Sequence, residues 1–171
     1  QLEAGNSVLE GEFSVHLDPR VTISPTVLMA RQDAMISSYR LSGVVSEANS
    51  ALGLLEAQLE DALSLLGEAS PESDDLVNEI ERLLNDLRLI RSEVEAVASG
   101  ANLVGQIEGV TGPPTADQLR QIEDSWEEIP ALIDRLNILI TTEVPALYAR
   151  LDDEGIRPDP GSAIEMPRRR R

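Results

Sequence analysis

The stretch from Val45 to Leu66 constrains this chain more than any other. Its apolar residues Val45, Ala48, Leu52, Leu55, Leu59, Ala62 and Leu66 recur at alternating intervals of three and four. An α-helix gathers that spacing into one stripe, whereas a strand would scatter it over both faces. The pattern recurs twice. Leu76, Ile80, Leu83, Leu87, Ile90, Val94 and Val97 form a second stripe. Leu119, Ile122, Trp126, Ile129, Ile133, Leu136, Ile140, Val144, Leu147 and Leu151 form a third. An amphipathic helix must bury its stripe against another element. Three such helices with short connections predict a mainly α fold, an antiparallel up-down-up three-helix bundle.

Local signals set the expected boundaries. Ser24-Pro25 offers an N-cap and a first-turn proline, so the first helix is expected over 25–66 with Gly67 as its left-handed stop. Gly43 and Gly53 lie inside it and weaken it by roughly 1 kcal/mol each, unless they serve close helix approach. Before Val45 the apolar residues Leu28, Met35 and Tyr39 follow a less regular spacing. Ser70-Pro71 opens the second helix, expected over 71–108, because Ala101 and Val104 carry its stripe past Gly100. A loop from Gly109 to Pro114 leads to Thr115-Ala-Asp-Gln118, a capping box. The third helix is expected over 116–153 with Gly155 beyond its end. Pro130 and Pro145 fall inside it, yet the three-four spacing keeps its phase through both. A loop would reset that phase, so one kinked helix is expected. The alternative is a break at Thr141-Thr142 and a short fourth helix. Residues 156–171, rich in Pro, Gly and Arg, read as a surface tail.

Residues 1–24 read as a β-hairpin and linker. Phe13, Val15 and Leu17 alternate with Ser14, His16 and Asp18, and Gly5-Asn6 is a turn signal. The expected strands are 1–4 and 7–18, with Pro19 ending the pairing. A lone hairpin is marginal in water, so its apolar side needs cover from the bundle or from another chain. That makes Phe13, Val15 and Leu17 candidate interaction residues, suited to β-augmentation by a neighbouring copy. The terminal run Arg168, Arg169, Arg170, Arg171 is a second candidate, as a basic tag for an acidic partner or for the chain's own acidic surface, beside the plainer reading of a solvated tail.

Composition excludes several functions. The net charge of −17 argues against nucleic acid and anionic membranes as partners. No apolar run is long enough to span a bilayer, so no membrane insertion is expected. With no cysteine and one histidine, Cys/His zinc sites, thiol nucleophiles and His pairs are absent. His16 falls on the polar side of its strand. Asp152, Asp153, Glu154 and Asp159 surround Gly155 without the spacing of a Ca²⁺ loop. Glu127-Glu128 lacks the His three residues on that a di-iron bundle uses. Trp126 lies on the third stripe and reads as core. The expectation is no catalytic residue, no metal and no cofactor. The chain opens on Gln1 and shows no signal-peptide pattern, which reads as a processed chain or a piece of a larger one.

Three stretches carry a resemblance. Gly5-Asn-Ser with Gly11-Glu-Phe-Ser-Val-His-Leu-Asp18-Pro19-Arg20-Val21 resembles the last hairpin of an immunoglobulin-like domain running into a helical segment. Pro114-Thr115-Ala116-Asp117-Gln118 resembles the start of a later helix of that segment. Leu136-Asn137 through Val144-Pro145-Ala146-Leu147 resembles its end. Together they are similar to the C-terminal part of large secreted bacterial sortilin-like, BNR-repeat β-propeller proteins, often labelled glycosyl hydrolases. The likeness spans most of the chain. The propeller and most of the immunoglobulin-like domain have no counterpart here, so no catalytic residue carries over. The resemblance implies a secreted, periplasmic or cell-surface setting and no activity. The resulting expectation is a non-catalytic structural and interaction module, partnered by itself or by a larger parent chain. The alternatives are a peptide- or helix-docking module, or a remnant domain of a propeller-type hydrolase.

Overall fold

The computed structural model describes residues 2–4, 7–9, 11–16, 18, 22–69, 74–153, 155 and 164–167. It is mainly helical. α1 spans Pro25–Ala69, α2 Asp74–Val97, α3 Val104–Glu108, α4 Ala116–Ile138 and α5 Val144–Asp153. A 3₁₀ turn, Ala98–Asn102, leads from α2 toward α3, and a π turn, Leu139–Glu143, joins α4 to α5. Three long helical stretches result, and their aliphatic faces share one core.

The helix starts follow their local chemistry. The Ser24 hydroxyl accepts the Val27 N–H at 3.3 Å, and its carbonyl accepts the Leu28 N–H at 3.0 Å. Thr115 and Gln118 form the reciprocal box, each side chain accepting the other's backbone N–H, at 3.2 and 2.9 Å. Ser70-Pro71 lies outside the described residues. α1 does not stop at Leu66: it passes through Gly67 to Ala69. A glycine weakens a helix but ends it only where the backbone turns left-handed. Gly155 does so, with φ +82° and its N–H bonded to the Asp152 carbonyl at 3.0 Å, just past α5.

The stripes form the core. From Ala48 to Leu66 each expected α1 position is at most 2% exposed. In α2, Ile80, Leu83, Leu87, Ile90 and Val94 are at most 1% exposed. Ile129, Ile133, Leu136, Ile140, Val144, Leu147 and Leu151 match them from the third stretch. Several positions correct the expectation. Tyr39 and Leu119 face solvent, Leu28, Met35, Val97 and Val104 are half-buried, and Val45 is half-buried while Val44 takes the core position. The first half of α1 buries Ala34, Ser38, Leu41 and Val44 instead. A serine holds one stripe position there, so apolar spacing alone mis-set the phase.

Contacts fix the order of packing. As α1 runs forward, its partners run backward: Arg31 reaches the Ile107 and Glu108 carbonyls, Ser38 meets Leu103, Glu56 meets Arg91 and Glu60 meets Arg88. α2 meets the third stretch in the same reversed order, through Glu93 with Arg135, Arg82 with Glu143 and Glu79 with Arg150. The Tyr148 hydroxyl donates to Gln58 Oε1 at 3.1 Å, tying α5 to α1.

The second stretch is not one α-helix from 71 to 108. It tightens at Gly100, where its backbone lies against α4. A Cβ there would sit 2.4 Å from the Gln121 carbonyl oxygen and 2.7 Å from Ile122 Cα. Gly43 and Gly53, the glycines expected to allow close approach, meet no neighbouring backbone within 4 Å. The third stretch stays helical from Ala116 to Asp153, so no loop interrupts it at Thr141-Thr142. Pro130 lies within α4, and Pro145 follows the π turn directly. A proline ring collides with the carbonyl four residues back in an ordinary helix. Here Val144 N–H bonds to the Leu139 carbonyl five residues back, and that wider turn relieves the crowding ahead of Pro145.

At the N-terminus, Leu2–Ala4 pairs antiparallel with Ser7–Leu9, Leu2 opposite Leu9. The expected strand through Asp18 is corrected: residues 11–16 and 18 have no strand structure. Phe13 and Val15, expected half-buried, are 87% and 85% exposed. Among the described residues no element covers those two side chains, and alternation without a partner does not hold a strand.

Candidate functional site

Ion pairs run between the helices along their outer faces. α2 carries arginines or glutamates to both neighbours. Arg91 and Glu56 lie 2.7 Å apart, Arg82 and Glu143 2.7 Å, and Arg82 and Asp86 2.9 Å. The Glu143 hydrogen bond is the leading cause that holds the Arg82 guanidinium above its ordinary pKa; burial opposes it, and the Asp86 and Glu79 carboxylates add to it. Arg82 is about half exposed, so water and salt screen the pair and it contributes little to stability. Such rows set register between helices.

Two open grooves border these rows. One of about 230 Å³ is lined by Asp86, Ile90, Arg135, Ile138, Leu139 and Glu143. Another of about 360 Å³ is lined by Glu60, Leu63, Glu81, Leu84, Asn85 and Arg88. Asp86, Arg135, Glu143, Glu60 and Arg88 are already engaged in the ion pairs above, so neither groove converges free charge on a point. Among the described residues, no group of three or more His, Cys, Asp or Glu could hold a metal ion. Asp152, Asp153, Glu127 and Glu128 are exposed, as is His16, and Trp126 is core. Glu154 and Asp159 lie outside the described residues. No helix among the described residues is long and apolar enough to cross a membrane.

The buried polar groups serve the backbone. Ser125, 1% exposed, donates to the Val97 carbonyl at 2.6 Å and accepts the Gly100 N–H at 3.0 Å. Ser38, fully buried, accepts the Leu103 N–H at 3.2 Å. A switch from α to 3₁₀ and back leaves backbone groups without their usual partners. The two hydroxyls satisfy those groups from α4 and α1, which fixes the turn between two helices.

One further polar group holds a distant part of the chain. Asn137 donates from Nδ2 to the Ile164 carbonyl at 2.9 Å and accepts the Ile164 N–H on Oδ1 at 2.7 Å. A single side-chain amide thus pairs with both backbone groups of one residue, as a neighbouring strand would. Ile164 is 8% exposed and Met166 packs against the core. Sequence reading missed this seat. Its signal was slight: an aliphatic Ile-Glu-Met in a tail otherwise rich in Pro, Gly and Arg.

The expected interaction residues are placed in part. Phe13 and Val15 project into solvent close after the short strand pair. Leu17 and Arg168, Arg169, Arg170 and Arg171 lie outside the described residues. No protein family matches the chain, and no curated protein and no solved structure is significantly similar to it.

Proposed function

We propose that this chain is a non-catalytic structural and interaction module of an exported bacterial protein. It is an up-down-up three-helix bundle whose N-terminal hairpin segment is completed in trans by β-augmentation from a neighbouring copy or a larger parent chain. The observation that carries the reading is the exposure of Phe13 and Val15 beside a strand pair of three residues each. Two aliphatic or aromatic side chains left bare next to unpaired strand edges invite pairing with another molecule. The reversed order of contacts along α2 supports the bundle. The exported setting rests on the resemblance of the Gly5–Val21, Pro114–Gln118 and Leu136–Leu147 stretches alone.

Docking of an amphipathic partner helix, one form of the alternative reading, would need a contiguous apolar stripe on the outer surface. The exposed apolar residues of α1, Met29, Tyr39, Leu54 and Leu65, stand at least ten residues apart, about 15 Å along the axis, and make no such stripe. The test is analytical ultracentrifugation of the full chain against a Phe13→Asp, Val15→Asp variant. Concentration-dependent assembly that is lost in the variant is the expected result. A full chain that stays monomeric at high concentration, or assembly unchanged in the variant, overturns the proposal.

A further inference from the structure

Ile164 is held by a clamp that reads only its backbone and seats only its aliphatic side chain. Asn137 uses both amide atoms, at 2.9 and 2.7 Å, on the two main-chain groups of Ile164. Arg135, two residues earlier, points to Glu93 on α2. Two residues are about 200° of helix, so Asn137 lies on the flank of α4 turned away from α2. That flank therefore carries a built seat for the Ile-Glu-Met segment. Main-chain hydrogen bonds hold the segment, and an aliphatic side chain fixes its register, as in strand-addition recognition.

We propose that this flank is a peptide-binding site that takes residues 164–167 of a second copy of this chain in exchange for its own. The fit is on the page, because the seat is filled in cis. From Asp153 to the level of Asn137 is about 24 Å of helix. The number of residues between Asp153 and Ile164 sets a reach of up to roughly 36 Å. A flexible tether of that number of residues would give the cis segment an effective concentration in the millimolar range. Cis seating thus prevails in dilute solution, and exchange between copies sets in where copies are crowded. The site is separate from the N-terminal contact proposed above and does not depend on it.

The test vacates the seat in the full chain. Ile164→Asp places a charge where an aliphatic group was buried and releases the segment. The probe is a fluorescent peptide of residues 160–171, followed by anisotropy. The Ile164→Asp protein binds it saturably and at least about tenfold more tightly than wild type does, because the resident competitor is gone. Adding Asn137→Ala abolishes that binding, and so does placing Ile164→Asp in the peptide. Three results overturn the proposal: equal binding by wild type and Ile164→Asp, no saturable binding by Ile164→Asp, or undiminished binding of the Asp-bearing peptide. The last would mean arginines on an acidic surface and no seat. Should the Asp variant lose its helical circular dichroism, Ile164→Ser repeats the measurement. Phe13→Asp, Val15→Asp leaves every one of these values unchanged, so the two contacts are read separately.

Discussion

Gly100 gives the sharpest test of how the helices fit. Its missing side chain is the condition for the 3₁₀ turn to lie on α4. An added methyl would stand 2.4 Å from the Gln121 oxygen and 2.7 Å from Ile122 Cα. Both are backbone atoms, so neither can swing aside. Ordinary contact needs about 1 Å more, and the turn must lift from α4 by that much. The lift stretches the 3.0 Å bond from the Gly100 N–H to Ser125 beyond hydrogen-bond range. Overpacking costs about 1–3 kcal/mol and the lost buried bond a similar amount. The helical preference of Ala over Gly offsets about 1 kcal/mol. Gly100→Ala should therefore destabilise by about 2–4 kcal/mol.

The same substitution elsewhere in the chain should have the opposite sign. Gly43 has nothing within 4 Å of an added Cβ, and Gly53 has only Arg91 Nη2 at 3.8 Å. Ala at either should stabilise by about 0.5–1 kcal/mol. Urea denaturation followed by far-UV circular dichroism compares the three variants with wild type. A Gly100→Ala protein as stable as wild type would refute the close approach. Loss of stability in all three would refute the exposure of α1's outer face.

Leu83→Ala and Leu87→Ala, each at a fully buried position, should cost about 2–5 kcal/mol, while the exposed Glu81→Ala and Glu95→Ala should change stability by less than about 0.5 kcal/mol; equal costs in denaturation would mean the α2 phase is wrong. Ser125→Ala removes both the donor to Val97 and the acceptor for Gly100, and should cost about 1–3 kcal/mol by the same measurement. The raised pKa of Arg82 contributes stability that is fully present below the ordinary arginine range and lost only as pH rises through the raised folded value. Comparing wild type with Arg82→Ala, the stability difference should therefore be flat from pH 6 to 9, and it should shrink in 1 M salt because the pair is half exposed.

The helices were legible because aliphatic spacing is a strong signal where every stripe position is apolar. Ala48 to Leu66 shows this, with each expected position buried. The signal failed where a polar residue sits in the stripe. Ser38 is fully buried and bonds to Leu103, but a hydropathy pattern counts it as surface and hands its place to Tyr39. It failed again where the helix type changes. The stripe runs on through Ala101 past Gly100, since a 3₁₀ turn alters the backbone without displacing those side chains from the core. Phase held through Pro145 for a related reason: the π turn absorbs the proline and the core positions Ile140 and Val144 stay in line. The Asn137 seat had no pattern to betray it. It joins one residue in the middle of a helix to one far along the chain, and backbone recognition leaves little trace in side-chain sequence.

The 3₁₀ turn and the π turn are each accompanied by short polar side chains that bond backbone. Ser38 and Ser125 bracket the 3₁₀ turn, and Thr141 within the π turn donates to the Asn137 carbonyl at 2.7 Å. Asn137 then holds Ile164 through the same kind of bond. The aliphatic stripes thus decide that three helices pack, and a few small polar residues decide where they bend and what they hold. The two contacts proposed above use backbone: the edges beside Phe13 and Val15 at one end of the chain, and the Asn137 flank for the other. Both modes take main-chain hydrogen bonds for affinity and one or two apolar side chains for register. A module that uses the two together could link copy to copy from either terminus while its helices stay rigid between them.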